Sequence, residues 1–596
     1  MSSVPERSEI ESKYKWDLES IYASDDEWEA AYEEVEDRID DLSAYEGRAT
    51  EDGETLLAVL ELREEVYRTL EQVVNYARMR KDENTADQHY QALTSRGMSL
   101  ASRVDSASSF LEPEIQDVDR DELDRMIEET DGLELYDHYL YDVLRTAEHT
   151  RSAEVENVLA ELGEVTGASG EIYNMLMDSD MEFPTVENPD GDSVEITQSN
   201  LTKLLKNPDR EFRQTVYESF YDEIGEYHNT IGTTLKNSVK SDVQLARIRD
   251  YETAREAAMD GPNVPVEVYD NLVDTVRDNL DKLHRHAELK RESLGVDELR
   301  MWDLYMPMTE TETPDVEYEQ AREYVVEALG ALGDDYQNRV KEGFESRWVD
   351  VYETENKRSG AYSGGTYDTQ PFILMNYQDD ISSMFTLAHE LGHSLHSQLT
   401  SENQPYVYGD YEIFVAEVAS TVNEALLTNH LLDTVEDPTF RRHVLNEYLE
   451  RFRSTLYRQT MFAAFEHEAH QLVEDDEALT PGKADEIYGD LKEEFYEPAV
   501  VDDRIAREWA RIPHFYRAYY VYQYSTGISA AVALADGILN DGDEAADRYL
   551  DFLKGGSREY PLELLETAGV DMSSPEPIQR ALDVYDDHLD EMESLI

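Results

Sequence analysis

The feature that most constrains this chain is a three-and-four spacing of apolar residues that recurs along nearly its whole length. In DDEWEAAYEEVEDRIDDLSAYE, TLLAVLELREEVYRTLEQVVNYARMRKDE and ADQHYQALTSRGMSLASRVDSASSFLEPEI, apolar side chains fall on one face and charges on the other. That is the period of an amphipathic α-helix. Residues 8–180 therefore read as successive helices, and a mainly α fold is expected. Two islands interrupt the pattern. MEFPTVENPDGDSVEITQSN, near 181–200, holds two short β-like runs around an Asp-Gly turn signal. Residues 348–378 are rich in Gly, Tyr and Thr, and PFILMNY within them reads as a buried or edge strand. Helices resume near 380 and run to the end. At 596 residues the chain exceeds one simple core, and the change of texture near 200 suggests a helical N-terminal domain, 1–200, followed by a second domain, 201–596.

Charge narrows the function. Asp and Glu number 134 against 52 Lys and Arg, a net charge of −82. A nucleic-acid partner needs a basic footprint, so it is excluded. The acidic excess is spread over every segment, and no lysine occurs between Lys81 and Lys203. This suits a halophilic protein kept soluble in concentrated salt, where at about 1 M the Debye length falls to about 3 Å. With no cysteine, disulfides and thiolate chemistry are absent. No uncharged apolar run approaches membrane-spanning length, and a soluble cytoplasmic protein with no membrane partner is expected.

One stretch carries metal chemistry. In TLAHELGHSLHS, His389 and His393 stand four apart, on one face of a helix and about one turn from each other. Both imidazoles can then reach one ion, while Glu390, on the adjacent face, can meet a water. Nitrogen ligands with an open position suit zinc. A catalytic zinc needs a third protein ligand. His396 shares the face. Glu417, in YEIFVAEVASTVNEALLTNHLL, lies 24 residues after His393, enough for a loop and an antiparallel return. Ala416, Ala419 and Ser420 around it are small and let two helices approach closely. Glu424, on the same face as Glu417, can brace a ligand histidine, and Glu412 lies at the loop edge. In FEHEAHQL, His467 and His470 are three apart beside Glu466 and Glu468; packed, hydrogen-bonded histidines account for them better than a second metal site.

The order HELGH, then FVAEVAS, resembles the thimet-oligopeptidase-like zinc metallopeptidases, and within them oligopeptidase F. DGDSVEITQSNLTKLLKNPDREFRQTVYESF, KRSGAYSGG and RIPHFYRAYYVYQYSTG are similar to segments of that family in the same order, so the resemblance spans roughly residues 10–590. It implies one zinc per chain on His389, His393 and Glu417, with Glu390 as general base, and a zinc metallopeptidase catalytic domain in 201–596. It implies an elongated multi-helix ellipsoid with a deep channel that admits short unstructured oligopeptides. His514 and the tyrosines after it would serve the transition state. The Gln-Tyr match makes Tyr524 the donor to the oxyanion, with His514 and Tyr520 holding substrate. The thimet branch has a further tyrosine where this chain has Gly527; Tyr522 is a candidate substitute and, like Tyr520, a candidate substrate-binding residue. Tyr519 reads as packing. Gly360, Gly364 and Gly365 would let extended chain lie against a bound peptide.

The function expected is a zinc endopeptidase of oligopeptides. The alternatives are a helical binding protein with structural histidines, or a metal hydrolase of small esters or amides. The charge generates a separate expectation: the melting temperature in multimolar salt lies above that in dilute buffer. Equal melting temperatures in thermal scans would contradict it.

Overall fold

The computed structural model of the chain describes residues 4–309 and 313–596. Helices form most of it, with five short strands in two small sheets. By compactness it divides into two units of interleaved segments. Unit 1 comprises 1–148, 315–430 and 534–569; unit 2 comprises 149–314, 431–533 and 570–596. This is a different division from one at residue 200.

Unit 1 begins with helices Asp25–Ser43, Gly53–Glu83 and Gln88–Ser108, each opened by a side chain that accepts an amide of its first turn: Ser24, Asp52 and Asp87. Their apolar faces bury Trp28, Val35, Leu70, Val73 and Leu100 in one core that also takes in Trp16, Phe372 and Leu374. The last two belong to a three-stranded sheet in the order β3 (Val349–Asp350), β5 (Phe372–Leu374), β4 (Tyr362–Gly364). β5 pairs parallel with β3 and antiparallel with β4, so PFILMNY supplies the central, fully buried strand. The side chain of Lys357 is sealed from solvent. Its Nζ donates to the carbonyls of Asp350, Tyr352 and Met375 and lies 2.6 Å from the Asp350 carboxylate. One cation thus ties β3, the end of β5 and the glycine segment between them.

Two further helices carry the residues of interest, Ile381–Asn403 and Ile413–Thr434, the latter belonging to unit 1 through His430. Asp380 opens the first, its carboxylate accepting the Ser383 amide at 2.7 Å. At Gly392 the two backbones almost touch. A Cβ there would lie 2.5 Å from Ser420 Cα and 2.6 Å from the Ala419 carbonyl oxygen. Asn423 locks the same crossing, its amide donating to the Ala388 carbonyl at 3.1 Å.

Unit 2 contains the hairpin of the first island, β1 (Thr185–Glu187) antiparallel to β2 (Ser193–Glu195), with Gly191 at φ +86° in the turn. The rest is helical, including Arg210–Glu226, His228–Ile248, Arg458–Glu474, Pro481–Phe495 and Glu576–Leu595. A π-helical turn, Phe452–Tyr457, runs directly into Arg458–Glu474. No helix among the described residues is long and apolar enough to cross a membrane.

The crossing at Gly392 generates a prediction. Gly392→Ala adds a methyl group against backbone that cannot rotate away, so the metal-free protein loses about 1–3 kcal/mol of stability. Urea denaturation reads this directly; an unchanged midpoint would mean that the two helices have room to part.

Candidate active site

The crossing brings three of the residues read from the sequence to one point. His389 Nε2 and His393 Nε2 are 3.2 Å apart, and Glu417 Oε2 lies 3.4 Å from the first and 3.6 Å from the second. Ligands at about 2.0–2.1 Å around a tetrahedral ion stand about 3.3 Å from one another. The three donor atoms therefore fit one such ion without rearrangement. Among the described residues this is the one group of three or more His, Cys, Asp or Glu so disposed.

Each ligand is held from behind. Glu424 is fully buried, and its Oε1 lies 2.6 Å from His389 Nδ1, which leaves Nε2 facing the other two donors. The backbone of Ala416 lies by His393 and favours its protonated form. Ser420 Oγ donates to Glu417 Oε2 at 3.1 Å and to the Glu417 carbonyl at 2.9 Å. Burial presses the His389 pKa down, but the hydrogen bond and charge of Glu424 outweigh it and leave His389 above its ordinary value. Burial, then the charge of His389, pushes His393 down to about 4. The site's two imidazoles thus divide into one easily protonated and one held neutral.

Glu390 is 7% exposed. Burial raises its pKa to about 7; the charges of Glu417 and Glu424 add to this, while His389 and the backbone of Ser363 pull the other way. Ser363 sits in β4, and its Oγ lies 2.8 Å from Ser394 Oγ on the histidine helix. β4 is an edge strand of its sheet. Gly364 is its last residue; Gly360, at φ +85°, and Gly365, at φ +149°, flank the strand in conformations that L side chains rarely adopt.

The remaining candidates for third ligand go elsewhere. His396 is 1% exposed and stacks on Tyr411 with centroids 3.7 Å apart, its Nδ1 buried without a partner among the described residues. It is a packing residue, pushed down to about 3 by burial and then by His393. Glu412 caps the second helix through its carbonyl and does not join the ligand group.

The other predicted residues lie in unit 2. His514 sits in a short 3₁₀ turn, Pro513–Tyr516, and the helix that carries Tyr524 starts at Tyr522. Tyr519, at φ +50°, bends the chain before it, so Tyr520 precedes the helix rather than sharing a face within it. The three rings still meet. His514 stands 5.9 Å from both Tyr520 and Tyr524, those two are 5.3 Å apart, and Tyr524 donates to Tyr520 at 3.3 Å. Burial, followed by the charges of Arg458 and Arg517, keeps His514 below its ordinary pKa. Tyr522 turns away, 1% exposed and packed on Tyr269 at 5.3 Å. That is a core position, and the substrate-binding reading given to Tyr522 does not fit it. Tyr519 is buried, its amide donating to Glu466 Oε1 at 2.8 Å. His467 and His470 are engaged with Tyr519, with the Glu466 carbonyl and with Asp242, and form no ligand group.

Gly392, Asn423 and Ser363 were not singled out from the sequence, and Ser420 was read there only as a small residue that lets the helices approach. Gly392 alone carried a signal, a glycine in the middle of a helix, which often marks a close approach.

Comparison with known proteins identifies the family. Residues 203–584 match peptidase family M3, and residues 114–183 match the family described as oligopeptidase F. Oligopeptidase PepF of Bacillus subtilis is 44% identical over 596 residues, covering 100% of this chain and 89% of that protein. Group B oligopeptidase PepB of Streptococcus agalactiae is 40% identical, covering 99% of this chain and 98% of that protein. The crystal structure of oligoendopeptidase-F from Enterococcus faecium superposes with a TM-score of 0.74 at 36% identity, covering 96% of this chain and 99% of the other. A solved structure from Chlamydophila abortus, 31% identical, gives a TM-score of 0.91 with both chains fully covered. With the family match running over more than half of the chain and relatives of this identity aligned end to end, the chain belongs to peptidase family M3.

Proposed function

We propose that this peptidase is a zinc-dependent endopeptidase of short, unstructured oligopeptides, with one zinc per chain held by His389, His393 and Glu417. The observation that carries the proposal is the trio of donor atoms at tetrahedral spacing, with Glu424 bracing His389 from behind. When bound there, zinc supplies a Lewis acid that polarises a peptide carbonyl and makes water more acidic.

The chain's own groups do the rest. Glu390 is next to the ligand histidine and short of a counter-charge, so its carboxylate is the base that takes the proton of an attacking water. Once protonated, it gives that proton to the leaving amine. β4 supports an extended peptide along its free edge, the glycines at 360, 364 and 365 keeping side chains out of the way. Tyr524 serves as donor to the oxyanion, with His514 and Tyr520 as its neighbours.

Glu390→Gln keeps the shape and removes the base. Cleavage of a ten-residue peptide falls by about 10²–10⁴-fold, while zinc content, read by atomic absorption, stays near one per chain. Intact cleavage would sink Glu390 as the base, and absence of zinc from protein purified without chelator would sink the metal site.

Protons compete with metal for His389, whose pKa lies above the ordinary 6.5. Zinc affinity and activity therefore fall together as pH is lowered toward 6. Equilibrium dialysis against a competing chelator between pH 8 and pH 5 checks the first and peptide cleavage the second; flat profiles would contradict a two-histidine site.

A further inference from the structure

Unit 2 holds a polar cavity of 370 Å³ between the segment around Lys206, Tyr305 and the stretch 447–458. Four cations, Lys206, Arg451, Arg453 and Arg458, and two carboxylates, Glu447 and Glu450, line it. In a chain with 134 acidic and 52 basic residues this ratio is inverted. Nothing in the metal chemistry described above uses it.

The pairs made with Glu450 and Glu508 leave donors over. Glu450 is taken twice, by Lys290 Nζ at 2.5 Å and by Arg453 Nη2 at 2.8 Å. Arg453 directs Nε and Nη2 to that one carboxylate oxygen, so its Nη1 has no acceptor among the described residues. Arg458 gives Nη2 to Glu508 at 2.7 Å, and Glu508 also receives Lys492 at 2.6 Å and the Tyr488 hydroxyl at 2.7 Å. Nε and Nη1 of Arg458 have no acceptor among the described residues. Lys206 is exposed and has no ion-pair partner among the described residues.

Local geometry gathers these groups. Residues five apart on an α-helix lie on different faces. The π-helical turn Phe452–Tyr457 widens the helix, so that Arg453 and Arg458 both border one cavity. The hydroxyl-bearing residues Ser454 and Thr455 line the same wall. Two guanidinium groups with spare N–H donors and a mobile ammonium are the pattern that binds a planar or tetrahedral oxyanion.

We propose that this cavity binds an oxyanion, a carboxylate or a phosphate, through Lys206, Arg453 and Arg458. Two sources supply that chemistry: the free C-terminal carboxylate of a peptide substrate, and free phosphate. The first is the more specific, because the cavity belongs to the same compact unit as the His514, Tyr520 and Tyr524 group. That source rests on the peptide-binding role proposed for this group; the cavity's affinity for an anion does not.

The test uses the full chain at constant ionic strength. Calorimetric titration with inorganic phosphate gives saturable binding, and Lys206→Glu weakens it at least tenfold with melting temperature unchanged. Arg458→Lys, which keeps a charge beside Glu508, weakens it less. In parallel, zinc-loaded enzyme cleaves a ten-residue peptide as free acid and as C-terminal amide. If the peptide terminus is the occupant, the free acid has the lower KM, the difference vanishes in Lys206→Glu, and phosphate competes. If phosphate is the occupant, it binds while both peptides share one KM. The proposal is overturned if phosphate does not bind saturably and the two peptides behave alike, or if Lys206→Glu changes neither measurement. Phosphate binding without any cleavage would leave the cavity standing and count against the peptidase mechanism alone.

Discussion

The candidate site depends on one close approach, the contact of Gly392 with the backbone at Ala419 and Ser420. Each polar bridge between the two helices spans a single side chain. Asn423 reaches the Ala388 carbonyl, Glu424 reaches His389, and Glu417 reaches both histidines. None of these reaches has slack. A glutamate is long enough to meet an imidazole across the gap only because no side chain separates the helices at the crossing. Small residues on the second helix and glycine on the first therefore belong to the metal chemistry, although none of them would touch a metal.

Electrostatics then explains why a cation suits the place. Glu390, Glu417 and Glu424 converge on the same two turns, where like charges in a partly dry environment repel. The structure relieves this in part: Glu424 shares a short hydrogen bond with His389, and Glu390 is displaced upward toward neutrality. A divalent ion at the donor trio would offset the remaining charge and return Glu390 to the ionised form that a base requires. The same ion would favour neutral imidazoles, so ligands and base are tuned together rather than one by one.

Much of this was legible in the sequence, for definable reasons. Long helices announce themselves because their period repeats over many turns. The two non-helical islands were visible from glycine and β-branched residues. The pairing of β3 with β5 was not, because parallel pairing across a loop leaves no local pattern. The interleaving of the two units was hidden for a similar reason: texture changes along the chain, while compactness depends on contacts between distant segments. His389, His393 and Glu417 were legible from spacing and from the small residues around Glu417. In the tyrosine-rich stretch, residue type alone did not say which rings face inward. The bend at Tyr519 decides that, turning Tyr522 into the core while Tyr520 and Tyr524 meet beside His514.

The distribution of the scarce cations gives the acidic excess a structural meaning. Several are committed to buried carboxylates: Arg210 and Arg213 to Asp303, Lys357 and Arg7 to Asp350, and Lys492, Arg458 and Arg511 to Glu508. Removing one partner of such a pair costs about 3–5 kcal/mol, because it strands a buried charge. Those positions cannot drift toward acid. Exposed positions can, since lone surface pairs contribute only about 0–1 kcal/mol. A drift toward acid under this constraint removes cations from the surface first and leaves those of the interior. Salt acts on the two populations in the same order, screening exposed repulsion strongly and buried pairs weakly. The internal ion pairs therefore depend little on ionic strength, while the repulsion among exposed carboxylates depends on it strongly. Arg453 and Arg458 of the basic cavity are held against that drift by their buried pairs with Glu450 and Glu508, whereas Lys206, its exposed member, has no ion-pair partner among the described residues.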